Sequence, residues 1–229
     1  MEPMMPALAS PADDPSPSPS PADPQATRTR LIEEAMQLMA REGMNAVSLR
    51  RIVIAAGAQN PSALHYHFGG RDELVAAIAS YLQQWLEPRA CARLEALAGQ
   101  PGYTVRDVVE AAFGPVIAML SEPALGRDAV NFIGRLGWDY GEKGQEISAA
   151  LHRRTLELTL ARLQALMPGV GRETIQFRLL LTMNAVYYGI SYRSYMRRSP
   201  FGPMELAMPG DEERQQTEFL DYLVAGLSG

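Results

Sequence analysis

Residues 48–68, SLRRIVIAAGAQNPSALHYHF, constrain the fold more tightly than any other stretch. A short apolar helix closes at a glycine, polar residues form a turn, and a second short helix follows. Gly57 fits the turn because a helix commonly ends on a left-handed residue, which glycine adopts without steric cost. The wider window 44–71 contains no aspartate or glutamate. It holds Arg50, Arg51 and Arg71, giving a local charge of +3, together with His65 and His67. A surface free of carboxylates suits an anionic partner, because phosphate contacts dominate nucleic-acid affinity and a nearby acid would oppose them.

The formal net charge of −5 argues against such a partner only if the charge is spread evenly, and it is not. Residues 1–26 carry Glu2, Asp13, Asp14 and Asp23 and no basic residue, so most of the acidic excess lies there. Local charge decides the electrostatic reading. Cys91 is the only cysteine, which excludes an intramolecular disulfide framework and fits a reducing cytoplasm. No apolar run approaches the roughly 18 residues that cross a bilayer, so no membrane association is expected. The N-terminus has neither the basic nor the apolar region of a secretory signal.

Residues 1–26 hold eight of the seventeen prolines, with alternating Ser-Pro between positions 15 and 21. Such a segment buries too little apolar surface to offset its ordering entropy, so a disordered tail is expected there. From Thr27 onward the chain reads as successive helices. Leu31, Ala35, Leu38 and Met39 lie on one helical face, and this first helix stops at Gly43. Ser48 is placed to cap the second helix, with Ile52, Ala55 and Ala56 as its buried stripe. Pro61 and Ser62 open a short third helix ending near Phe68, and Asp72 and Glu73 sit well on the N-terminal dipole of a fourth. Pro88 should kink or divide the segment 74–98, and Gly114-Pro115 should bend a helix that starts at Thr104 and Asp107. Further helices are expected over 127–139, along the Leu156, Leu160, Leu163 and Met167 stripe, from Ile175 toward Tyr195, and over 211–227. The expected class is all-α: a three-helix helix-turn-helix head over 27–80, then a larger helical domain over 81–229.

Residues 27–78 resemble the DNA-binding domain of TetR-family transcriptional regulators. The resemblance rests on the spacing of Ala35, Leu38 and Gly43, on Ser48, on Ile52 with Ala56-Gly57, on Tyr66-His67-Phe68-Gly69, and on Arg71-Asp72-Glu73-Leu74. Between Gly57 and Phe68 this chain has one residue more than the common family spacing, and His65 stands where a tyrosine is usual. Asn60-Pro61 is the place in the turn for the extra residue. Gln59, Asn60, Ser62 and His65 are the polar candidates for base edges or phosphates, glutamine and asparagine being able to pair bidentately with adenine. Ordinary turn chemistry is the competing role for Asn60. The resemblance implies phosphate contacts for Tyr66 and His67, with core packing as the alternative for His67. Ser48, Arg50 and Arg71 suit phosphates, and Phe68 suits the core.

The resemblance further implies a homodimer on a palindromic double-stranded operator, repression, and release by a small apolar effector bound among the C-terminal helices. Phe113, Met119, Phe132, Trp138, Met183, Tyr187 and Tyr188 are candidates to line its pocket, and Asn184 is the polar candidate. Each of the apolar ones has core packing as its competing role. Residues 132–135 and 153–157 are similar to TetR-type regulators of fatty-acid metabolism, which implies an acyl-CoA or fatty-acid effector. The last two long helices are expected to pair the subunits.

No enzyme is expected, since a nucleophile elbow, a glycine-rich phosphate loop and a paired-carboxylate frame are all missing. Neither a cofactor nor a metal is expected, because His65 and His67 point about 200° apart on a helix and cannot share one ion. An interaction protein that has lost DNA binding, and a metal sensor using His152 or Cys91, are the competing readings.

Overall fold

The computed structural model describes residues 23–58, 60, 62–191, 198–207, 210 and 212–229. Nine α-helices and a short 3-10 turn at Glu205–Ala207 make up the regular structure among these residues, and no strand occurs among them.

Helix α1 (Pro24–Glu42) starts earlier than the expected Thr27, because Asp23 caps it through a 2.9 Å bond from the Gln25 N–H and Pro24 sits where a missing N–H costs nothing. It stops at Gly43, which is in the left-handed half of φ space. Helix α2 (Leu49–Ala55) is capped by the Ser48 hydroxyl, which accepts from the Arg51 N–H. Its buried residues are Ile52 and Val53, with Ala56 just beyond. Ala55 faces solvent, which corrects the expected stripe. Gly57 has φ of 64°, while the Ala58 N–H bonds the Val53 carbonyl and the Gly57 N–H bonds that of Ile54. This pair of bonds is a Schellman closure, and it needs the left-handed residue.

Helix α3 (Ala63–Phe68) has no side-chain cap bond at its N-cap Ser62; Asn60 instead forms an Asx turn before it, its side-chain oxygen accepting from the Ser62 N–H at 2.9 Å. Helix α4 (Arg71–Leu97) carries Asp72 and Glu73 in its first turn and is not divided at Pro88. Leu86, Ala90, Cys91 and Leu94 are buried on both sides of the proline, and their packing outweighs one missing hydrogen bond. Helix α5 (Val105–Met119) starts with a complete Thr104–Asp107 capping box and runs through a buried Pro115.

Helices α6 (Gly126–Asp139) and α7 (Gly141–Leu166) meet at a tight junction. A Cβ built on the buried Gly144 would lie 1.9 Å from the Leu136 carbonyl oxygen, so only glycine allows this approach. Helix α8 (Arg172–Ser191) and helix α9 (Glu212–Ser228) complete the fold. Residues 1–22 of the expected tail, Gln59 and the last residues of the run toward Tyr195 lie outside the described residues, whereas residues 24–26 of that tail belong to α1.

A single apolar cluster runs from Leu31 and Met36 in α1 through Leu82 and Leu94 in α4, Phe132 in α6 and Leu163 in α7 to Leu227 in α9. Each fully buried aliphatic or aromatic side chain contributes about 1.5–3 kcal/mol by leaving water. Helix α6 packs against α1, α7 and α8, so it lies between the head and the larger helical part.

Candidate functional site

In the head, Ala63, Leu64 and Phe68 turn inward from α3, while Ser62, His65 and Tyr66 face solvent. Tyr66 is 82% exposed, and among the described residues its ring makes an edge contact to His67 at 5.1 Å. His65 is held by its own helix end: its Nδ1 lies 2.7 Å from the Gly69 carbonyl oxygen and therefore donates to it, leaving Nε2 outward. His67 is half-buried.

The three arginines of the carboxylate-free window differ in what holds them. Arg50 is exposed and has no carboxylate partner among the described residues. Arg51 pairs with Glu42 through both guanidinium nitrogens. Arg71 is half-buried and donates to the Met44 carbonyl at 2.9 Å and the Val47 carbonyl at 2.5 Å. Its fork ties the α1–α2 turn to the start of α4.

A series of polar links fastens this head to α6 and α7. Arg41 bonds Asp128. The Arg135 Nε donates to the Ala40 carbonyl at 2.9 Å, and Asn45 donates to the Asp139 carbonyl at 3.1 Å. Asp72 accepts from both the Tyr140 hydroxyl and the Lys143 ammonium. The Lys143 bond, then the Tyr140 bond, holds the Asp72 carboxyl below its ordinary pKa. Burial first, and the Asp72 bond second, push the Tyr140 hydroxyl up.

Beside these links lies a cavity of about 780 Å³, walled by Asn131, Ile133, Gly134, Arg135, Gly137, Trp138 and Asp139 of α6, Ser148 of α7, and Met183, Asn184, Ala185, Tyr187 and Tyr188 of α8, with Ala40 of α1. The volume is that of a small-molecule site. Of the residues expected at an effector pocket, Trp138, Met183, Asn184, Tyr187 and Tyr188 are among those lining this cavity. Phe113, Met119 and Phe132 do not: they are buried in the core, where their volume is used for packing. Asn184 is not the buried amide it was expected to be. It is exposed on α8, and Asn131 on α6 has the buried amide oxygen, with no hydrogen-bond partner.

Tyr187 of the cavity wall forms a buried pair with His152 behind it. His152 Nδ1 lies 2.8 Å from the Ser148 carbonyl oxygen, which can only accept, so Nδ1 carries the proton. Burial holds the imidazole pKa down at about 4, leaving the ring neutral and Nε2 bare. The Tyr187 hydroxyl donates to that nitrogen at 2.7 Å, and burial raises its own pKa.

Two family models match the chain. Residues 31–78 match the model for bacterial regulatory proteins of the TetR family, and residues 110–226 match the tetracyclin repressor-like C-terminal domain. The chain belongs to the TetR family. It is a transcriptional regulator with a DNA-binding helix-turn-helix head. Among solved structures, Salmonella enterica GusR is 22% identical at a TM-score of 0.57, covering 91% of this chain and 96% of that one. The superantigen PfiT is 20% identical at a TM-score of 0.51, covering 87% of this chain and 97% of its own. Both share the fold. No curated protein matches the sequence.

On the TetR-family head, α2 and α3 bring Arg50, Ser62, His65 and Tyr66 to solvent, whereas the Ser48 side chain is engaged in capping α2 and that of Asn60 in the turn before α3. Gln59 lies outside the described residues. Sequence reasoning missed Arg28, whose guanidinium carbon sits 5.1 Å over the Phe68 ring and so brings a cation beside α3. It also missed Asn131, since one asparagine in an amphipathic helix gives no sign of facing a cavity. No helix among the described residues is long and apolar enough to cross a membrane.

Proposed function

We propose that this TetR-family regulator is a repressor that binds a palindromic operator as a homodimer and releases it when a small, mostly apolar molecule fills the cavity between α6 and α8. The observation that carries the reading is the position of α6. One helix supplies Asn131 and Trp138 to the cavity and, through Arg135 and Asp139, bonds to α1 and the loop after it. A ligand that prefers one setting of α6 would shift the setting of the head by linkage.

On the DNA side, Tyr66, His65, Ser62 and Arg50 form the outward face, with His67 and Arg28 at its edge; Gln59 is proposed with them on sequence alone. Arg71, Ser48 and Asn60 act through the geometry of the head. The function divides near residue 80, within the continuous helix α4.

The homodimer is supported by an exposed apolar stripe on α8. Phe177, Leu180, Leu181 and Tyr188 are each about half exposed or more, at helical spacing along one face. Tyr222 extends the apolar surface onto α9. Light scattering at micromolar concentration should give twice the chain mass, and Phe177→Glu with Leu181→Glu should give the monomer.

The effector class implied by the resemblance, an acyl-CoA or fatty acid, is the first to try. Fluorescence anisotropy with DNA from upstream of the protein's own gene, across a salt series, tests the regulator reading. Selective, salt-sensitive binding that weakens on adding effector supports it, and absence of selective binding at low salt refutes it in favour of a helical interaction protein.

A further inference from the structure

We infer that the cavity takes an uncharged, mostly apolar molecule bearing a hydroxyl or amide N–H, with that hydrogen accepted by Asn131 and Tyr187. The inference rests on the reading above that the cavity takes a small apolar effector, and it replaces the acyl-CoA or fatty-acid class given there with an uncharged ligand.

Asn131 supplies the first reason. Its Oδ1 is closed off from solvent and accepts no hydrogen bond, on a residue that lines the cavity. A buried acceptor without a donor is a standing cost to the fold, and native proteins tolerate few of them without a functional reason. The same amide has two N–H donors. A hydroxyl, which both donates and accepts, answers such a group better than an ether, which only accepts.

Tyr187 supplies the second. Its only proton points to His152 Nε2, because the Ser148 carbonyl fixes the other ring nitrogen as the donor. The phenolic oxygen can therefore offer a ligand only its lone pairs. Asn131 on α6 and Tyr187 on α8 are thus two acceptors among the lining residues, and each asks for a donor from the ligand.

Charge supplies the third. Arg135 is the only cation among the described lining residues, and its guanidinium is already paired with Asp139 on the same wall. A carboxylate placed there would be desolvated without a free counter-charge and close to another carboxylate, which is unfavourable. Ile133, Met183 and Trp138 supply apolar surface for the rest of the molecule.

Calorimetric titration of the full chain with two matched sets tests this: octanol, methyl heptyl ether and octanoate, and naphthol, methoxynaphthalene and naphthoate. In whichever set binds, the alcohol should be about tenfold tighter than the ether. Asn131→Leu should erase that preference and melt no lower than the parent, since it removes an unpartnered oxygen. Tyr187→Phe should reduce the preference in part. An ether equal to the alcohol, a carboxylate tighter than both, or a preference unchanged in Asn131→Leu would overturn the inference while leaving the effector reading intact. Failure of all six to bind or to change affinity for the upstream DNA would count against both.

Discussion

The Tyr140 hydroxyl donates to the Asp72 carboxylate, tying the junction of α6 and α7 to the first turn of α4. Lys143 reaches the other oxygen of the same carboxylate. One acidic residue, read from sequence as a helix-dipole partner, is thus also a fastening point between the DNA-binding head and the part of the chain that holds the cavity. Tyr140→Phe removes the bond and keeps the ring. The variant should bind DNA as the parent does without effector but respond less to effector, against a linked shift of about 5- to 150-fold in systems of this kind. Anisotropy titrations with and without effector measure it; an unchanged response would mean that this link carries no coupling.

Arg71 and Arg50 should separate cleanly. Arg71→Ala leaves two main-chain carbonyls of the α1–α2 turn without their donor and should cost about 1–3 kcal/mol in urea unfolding, with DNA affinity falling through loss of head geometry. Arg71→Lys should recover only part of this, because an ammonium lacks the planar fork. Arg50→Ala should leave stability unchanged and lower the salt slope of DNA binding by about one.

Two glycines should fail for different reasons. Gly57→Ala meets open space but must hold a left-handed φ, so a loss of about 1–2 kcal/mol is expected from the backbone alone. Gly144→Ala should cost more, because the new methyl would collide with the Leu136 carbonyl and force α6 and α7 apart. Thermal unfolding of both variants ranks them.

His152 gives the fold an acid sensitivity. Its folded pKa lies below the ordinary histidine value, so the unfolded chain binds the proton more readily. Its contribution is full above about pH 6.5 and is lost as pH falls toward about 4, amounting to about 3 kcal/mol at most. The carboxyls of Asp72 and Asp107, also held below their ordinary pKa, lose their contributions only at lower pH. His152→Gln should flatten the stability profile between pH 6.5 and 4.5, measured by urea unfolding at each pH. A profile identical to the parent's would remove His152 from this role.

Much of the head was readable before any coordinates. In the head Ser48, Gly43 and Gly57, and beyond it the Thr104–Asp107 box, carry their structural meaning within a few residues, because caps and left-handed turns are satisfied by neighbours in the chain. The misreadings have longer-range causes. Pro88 was expected to kink or divide a helix that tertiary burial keeps undivided, and Ala55 was placed inward where Val53 packs instead.

The sequence by itself therefore determined the all-helical class, the helix-turn-helix and the family, all of which rest on local periodicity and short motifs. Only the tertiary structure decided which arginine faces outward, that Arg71 ties the α1–α2 turn to the start of α4, and that Asn131, not Asn184, has the buried, unpartnered oxygen in the cavity wall. It also moved Phe113, Met119 and Phe132 from the expected pocket into the core. The physical reason is that a side chain's partner across 24 to 95 residues of chain, as for Arg71 to Val47 or Arg135 to Ala40, is set by how whole helices pack. A helical repeat of 3.6 residues specifies which face is apolar, but not which apolar face closes on a core and which leaves room for a ligand.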